Sequence, residues 1–305
     1  MENQTTVPYF LLMEFSKKRP LQLLHFIFFL VLYLATITTN ILIISAVAID
    51  HRLHSPMYFF LMNLAVLDLG TISIIVPKSM TNSLMDTRHI SYFGCVTQYF
   101  LFLSFETCDF SLLTIMAYDR YVAICHPLHY EMVMNWKYCT EIIIIMWVIC
   151  LLYGMLHTTG TFSISYCSNV VNQFFCEIPH LLKLSCSGIN LLEVGILVAS
   201  LIGALGCFTF IVISYAVIFK TVLRIPSEKG KQKALSTCIP HLTVVCMLVL
   251  SGCIAYMKPS SNTPSYIDFW LTALYSVLPP LFNPIIYSIR NKNIKCVLSE
   301  LWKFS

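Results

Sequence analysis

Apolar residues run along this chain in long unbroken blocks, not in the short alternations of half-buried strands or the one-sided stripe of a surface helix. Seven blocks are centred near residues 37, 68, 108, 149, 206, 245 and 277, each of the roughly 20 residues that a helix needs to cross the hydrocarbon of a bilayer. Lipid offers the backbone no hydrogen-bond partner, so a spanning segment is a helix or part of a closed barrel. Barrel strands alternate over about ten residues, and such segments are missing here. The pattern predicts an all-α membrane protein: one seven-transmembrane helix bundle over residues 1–305, with an amino-terminal segment 1–24, a long loop 161–190 and a tail 291–305. In the tail, Ile294, Val297, Leu298, Leu301 and Trp302 recur at helical spacing among Lys292, Lys295 and Lys303. That is the signature of a short amphipathic helix resting on membrane lipid.

Composition agrees: 57% of residues are hydrophobic and 11% charged, too few polar groups to cover a soluble domain. The first apolar block is of span length and lacks a small-residue cleavage site, so no cleaved leader is expected. No internal repeat is visible, and an odd number of spans counts against the two-fold repeats common in transporters.

Sidedness follows from charge and cysteine. With the amino terminus outside, twelve of the nineteen Lys and Arg residues fall in cytoplasmic segments, as the positive-inside bias requires. Lys17, Lys18 and Arg19 oppose it. The sequon Asn3-Gln4-Thr5 makes Asn3 a glycosylation site under the same topology. Of thirteen cysteines, most lie within spans as small apolar residues. Cys95, Cys167, Cys176 and Cys186 do not; they allow three pairings, and all four share the side called outside, where disulfides persist. Such bonds would restrain the long loop over the mouth of the bundle.

Enzyme motifs are absent: there is no zinc-protease, nucleophile-elbow, phosphate-loop or dinucleotide signature. The string Cys176-Glu177-Ile178-Pro179-His180 resembles a metal site only if Cys176 is not in a disulfide, and no metal is expected. Polar residues inside the spans are the better lead, because each is costly in lipid. At about 1.5 Å per residue, Cys95 and Arg120 stand about 37 Å apart on one helix, so Asp119 and Arg120 lie at the cytosolic face. Asp109 falls about 16 Å outward from Arg120, and Asp68 about 18 Å along the helix starting near Pro56. Asn40 and Asn283 reach similar depths. These four either glue helices together or form a hydrated site in which a sodium ion or a proton offsets the repulsion between the two carboxylates.

Glu106 lies one turn outward of Asp109, with Phe102, Leu103, Thr107 and Phe110 on the same flank. Span five offers small residues there (Ala199, Ser200, Gly203, Ala204), and span six offers Gly252 and Cys253 with Tyr256 a turn later; Ser276 represents span seven. Small residues beside aromatics leave room for a compact apolar ligand, unless they only permit close helix packing.

Six strings then occur in a fixed order: Leu53 to Leu61 (LHSPMYFFL), Met116 to Cys125 (MAYDRYVAIC) continuing through His126-Pro127-Leu128-His129-Tyr130, Ser214-Tyr215, Lys233 to Cys238 (KALSTC), His241-Leu242, and Pro280 to Asn291 (PLFNPIIYSIRN). In these the whole chain resembles rhodopsin-like G-protein-coupled receptors and, within them, odorant receptors. The resemblance implies disulfides Cys95–Cys176 and Cys167–Cys186. It implies an inner lock at Asp119-Arg120-Tyr121, a hinge at Asn283-Pro284-Ile285-Ile286-Tyr287, and a span-five tyrosine, Tyr215, that helps hold the open form. Asp68 and Asp109 match the family's buried acidic pair. It further implies a plasma-membrane receptor for a small-molecule odorant, coupled to a stimulatory olfactory-type heterotrimeric G protein and cyclic AMP, with no nucleic-acid partner and no cofactor beyond the sodium ion.

Departures accompany the match. Leu248, Val249 and Leu250 stand where the family commonly has Phe-Tyr-Gly, Thr39 precedes Asn40 in place of glycine, Pro240 precedes His241 in place of serine, and Gln173 replaces a common histidine. Two other readings use the same residues: a receptor sensing a metabolite outside the nose, and a transporter or channel running along the mid-membrane acids.

Overall fold

The computed structural model describes residues 8–14, 16–186, 191–257 and 266–290, together with 294, 296 and 297. Among the described residues seven long helices form the body: α1 (Arg19–Ile49), α2 (Pro56–Met85), α3 (Tyr92–Cys125), α4 (Trp136–Phe162), α5 (Leu191–Leu223), α6 (Glu228–Met257) and α7 (Tyr266–Arg290). Six of them, α1 to α6, are long and apolar enough to cross a membrane. Starts are set locally. Pro56 occupies the first turn of α2, where a missing N–H costs nothing. Ser91 accepts from the Gly94 amide at 3.1 Å to open α3, and Asn135 from the Tyr138 amide at 2.9 Å to open α4, each satisfying an orphan donor of a helix terminus.

α1 begins at Arg19, inside the segment expected to be a free amino-terminal arm. The reason is tertiary. Arg19 donates to the carbonyls of Ser83 (3.3 Å) and Leu84 (2.7 Å) at the end of α2, groups that lack helical partners and attract a cation. Gln22 bonds the side chain of Asp86, the left-handed residue that closes α2. The loop after α4 likewise starts two residues later than 161, because α4 runs to Phe162.

The bundle packs α3 against α2, α4, α5 and α6, with α1 and α7 beside α2. One core cluster fills the Asp119–Arg120 half, around Leu64, Leu112, Leu113 and Ile218; a second, with Phe29, Ile75, Phe102 and Phe175, fills the other half. Ile294 and Val297, the described part of the tail beside Cys296, are helical and pack into the first. The rest of the expected amphipathic tail, and Asn3, lie outside the described residues.

The half that carries the disulfides is roofed. β1 (Tyr9–Leu11) pairs antiparallel with β2 (His89–Ser91), in the register Phe10 to Ile90. The loop joins them: the amides of Leu11 and Val171 donate to the carbonyls of Asn169 (2.7 Å) and Leu11 (2.9 Å), and the Met13 amide to that of Gln173 (2.9 Å). Phe10 and Leu12 are buried beneath this weave with Tyr99, Val171 and Leu181. Cys95 is bonded to Cys176, tying the loop to the first turn of α3, and Cys167 to Cys186 within the loop.

Candidate functional site

Beneath the roof lies a cavity of about 550 Å³ between α3, α5, α6 and α7, a size common for small-molecule sites. From α3 it receives Tyr99, Phe102, Leu103, Glu106 and Phe110, which recur at helical spacing on one face. Leu205 and Phe208 of α5 and Val249 and Cys253 of α6 supply an apolar far wall. Glu177 and Ile178 close it from the loop, held in place by the adjacent Cys176 disulfide, and Tyr275 closes it from α7. A second cavity of about 900 Å³ lies between α3, α4 and α5, with Thr107, Tyr153, Ala199, Ser200 and Gly203 on its walls. The two meet at Glu106, Phe110 and Ala204, which line both. A β-carbon added at Gly203 would meet nothing within 4 Å, so this glycine leaves open space and does not serve a close helix crossing.

The sequence-derived pocket residues are thus divided. Phe102, Leu103, Glu106 and Cys253 line the first cavity, and Glu106, Thr107, Ala199 and Gly203 the second. Ser276 lines neither: it is buried, and its hydroxyl donates to the Thr272 carbonyl at 2.8 Å, the back-bond that satisfies a helical serine within its own turn. Its neighbour Tyr275 faces the cavity instead. Tyr256 lies on α6 with its side chain outside the described residues.

Polar groups hold the walls. Tyr275 donates its hydroxyl to Glu177 Oε1, joining α7 to the loop. Gln98 of α3 donates to the Ile74 carbonyl of α2 and accepts from the Cys176 amide, both at 3.0 Å. Tyr99, Thr161 and Glu193 form a chain of hydroxyl bonds of 2.8 and 3.0 Å behind the cavity. Gly160 allows it, because a β-carbon there would collide with the Glu193 carboxylate. Burial keeps the loop phenol of Tyr166 protonated by pushing its pKa up, and it donates to the Thr161 carbonyl at 2.8 Å.

Deeper in the bundle, Asn283 donates to both carboxylate oxygens of Asp68, at 3.0 and 3.3 Å. Asn40 turns elsewhere, donating to the carbonyls of Thr36 (3.0 Å) and Pro280 (2.9 Å). Pro284 has no N–H to offer residue 280, four positions back, and the Asn40 amide takes its place. Asp109 is buried with Oδ1 unpartnered. The four polar residues therefore do not form one directly bonded cluster: Asp68 and Asn283 are joined, Asn40 serves the α7 backbone, and Asp109 stands apart.

At the far end of α3, Arg120 is bonded to Asp119, both buried. Tyr130, beyond the end of α3, donates to the other Asp119 oxygen at 2.8 Å. Burial and the Asp119 charge push the Tyr130 phenol well above its ordinary pKa, so it remains a donor. Tyr121 reaches His126 at 3.0 Å, and the Tyr287 hydroxyl is buried without a hydrogen-bond partner. Tyr215 bonds His241, which reaches on to the Leu113 carbonyl, linking α5, α6 and α3.

A family model described as olfactory receptor matches residues 29–303. The chain is 48% identical to human Olfactory receptor 14A16 over 304 residues, 99% of this chain and 98% of that protein. Identity is 46% to human Olfactory receptor 14A2 over 303 residues, 99% and 96% of the two, and 42% to human Olfactory receptor 1C1 over 300 residues, 98% and 96%. The chain belongs to the olfactory receptor family. It is therefore a multi-pass G-protein-coupled receptor and not an enzyme.

Three features of this olfactory receptor escape sequence reasoning. Glu177 lies in an aperiodic loop beside Cys176 and His180, where the string invites a metal reading; its Oε1 is taken by Tyr275, and no cluster of three metal-ligating residues occurs among the described residues. Tyr130 belongs to a quoted motif, but nothing in its spacing announces a bond to Asp119. Gln173, at the position of a common family histidine, is fully buried and donates to Thr272 at 2.7 Å.

Proposed function

We propose that this olfactory receptor sits in the plasma membrane with its amino terminus and bridged loop outside, as one seven-helix domain. It binds a small, volatile, mostly apolar odorant in the cavity between α3, α5, α6 and α7, and answers through a stimulatory, olfactory-type G protein that raises cyclic AMP. The observation that carries this reading is the cavity itself. It is walled by apolar side chains and roofed by a loop bonded to α3, and the same α3 ends in the Asp119–Arg120 pair. A ligand that prefers an open arrangement of the far end shifts the population by its differential affinity alone. Arg120, released from Asp119, is the group offered to the G protein, with Tyr215 and the Asn283 to Tyr287 hinge taking part in the rearrangement.

A sodium ion belongs to the same reading. Asp68 and Asp109 supply carboxylate oxygens of the kind hard cations take, and the unpartnered Asp109 Oδ1 fits a bound cation. The ion would contribute positive charge between helices and no chemistry.

The test is a cyclic AMP assay in cells displaying the receptor, with a broad panel of volatiles. Odorants should raise cyclic AMP in the wild type, and Arg120→Ala should abolish the rise while surface display persists. A full response in Arg120→Ala, or current through the membrane without G protein, would sink the reading.

A further inference from the structure

We infer that the odorant is a primary amine with an apolar body, and that its ammonium pairs with Glu106. The inference rests on the cavity being the odorant site and adds the chemical class it selects. Two carboxyl groups face the 550 Å³ cavity, Glu106 from α3 and Glu177 from the loop, and among the described residues no Lys, Arg or His lines it. The two are not equivalent. Glu177 is 4% exposed; its Oε1 accepts from Tyr275, its Oε2 has no hydrogen-bond partner, and His180 Nδ1 lies 3.6 Å from that oxygen. Glu106 makes neither a hydrogen bond nor an ion pair with any described residue. An unpaired carboxylate inside an apolar enclosure is costly, and a partner of opposite charge removes most of that cost. None of the described residues supplies the partner, so a cationic ligand gains an attraction that a neutral one of equal shape does not.

The surroundings select the rest of the molecule. An ammonium has three donors, at least one of which Glu106 takes, with the Glu177 side chain on the roof of the same cavity. The far wall, with Leu205, Phe208 and Val249, offers apolar contact. Glu106 also borders the second cavity of about 900 Å³, so a long alkyl body anchored there has space on either side of Phe110.

The experiment compares primary n-alkylamines with n-alkanols of the same chain length, alongside neutral esters and aldehydes, by cyclic AMP dose–response at matched surface display. The expected result is that each amine is at least about ten-fold more potent than its alcohol. Glu106→Gln should raise the half-maximal amine concentration about ten-fold or more and so remove most of the amine's advantage over the alcohol. Glu106→Asp should keep the amine preference, and Glu177→Gln should lose a smaller part of it. Equal potency of amine and alcohol in the wild type, or undiminished amine potency in Glu106→Gln, overturns the inference. If Glu106→Gln fails to reach the surface, the preference in wild type and Glu106→Asp decides in the same way. Responses confined to neutral volatiles overturn the amine assignment and leave the odorant site standing; silence of the displayed wild type towards every class overturns both.

Discussion

Tyr215 and His241 are joined side chain to side chain, Oη to Nδ1 at 2.9 Å, across the α5–α6 interface. The other ring nitrogen, Nε2, lies 2.9 Å from the Leu113 carbonyl, which can only accept. Nε2 therefore carries the proton, and Nδ1 accepts from the phenol. Replacing Tyr215 with Phe leaves the imidazole nitrogen buried without a donor, a cost of about 1 kcal/mol for a bond inside a membrane bundle. Thermal unfolding in detergent should show a midpoint lower by about 2 °C, and His241→Phe, which removes both bonds, a larger drop. Equal midpoints for Tyr215→Phe and wild type would mean that the bond adds nothing.

The Asn40 bond to the Pro280 carbonyl exists because Pro284 vacates that carbonyl. Asn40→Ala should then destabilise the receptor by about 1 kcal/mol. In a Pro284→Ala background, where residue 284 regains its N–H, the same change should cost less. A double-mutant cycle read by thermal unfolding should give a coupling of at least about 0.5 kcal/mol; strict additivity would separate the two residues.

Tyr130 anchors Asp119 and with it the pairing of Arg120. Tyr130→Phe removes one hydrogen bond from the resting arrangement, worth about 1 kcal/mol, which raises the population of the released form about five-fold. Ligand-independent cyclic AMP should rise accordingly at matched surface display. Because burial and Asp119 both push the phenol's pKa upward, its donor role should not vary with pH between about 5 and 8.

The two disulfides close stretches of very different length, 81 and 19 residues. Loop entropy alone makes the Cys95–Cys176 bond more stabilising by about 1 kcal/mol, and only that bond fixes the roof beside Glu177. Cys95→Ser with Cys176→Ser should lower surface display and odorant potency together. Cys167→Ser with Cys186→Ser should affect display alone, and to a lesser degree.

The seven helices are legible in the sequence because lipid demands apolar side chains at nearly every exposed position, so each hydrophobic run reports a span directly. The start of α1 is not legible: Arg19 looks like part of a solvated basic arm until the carbonyls of Ser83 and Leu84 appear beside it. Nor is the β1–β2 pair, whose strands are three residues long and separated by the whole of α1 and α2. On the cavity wall, helical periodicity brings out Phe102, Leu103 and Glu106, which share a face. It fails at α7, where Tyr275 and Ser276 are adjacent and differ by about 100° around the axis, so the cavity takes the tyrosine and the helix keeps the serine. Glu177 has no periodicity to betray it, being placed by a covalent bond at its neighbour.

The weave of β1, β2 and the loop has a practical consequence for anyone detecting this receptor. β1 opens at Tyr9, and the loop residues hydrogen-bonded around Leu11 and Met13 lead to the Glu177 edge of the cavity. An epitope inserted beside Tyr9 is therefore attached to the roof itself. Display and potency measured with such a label report the label as well as the protein.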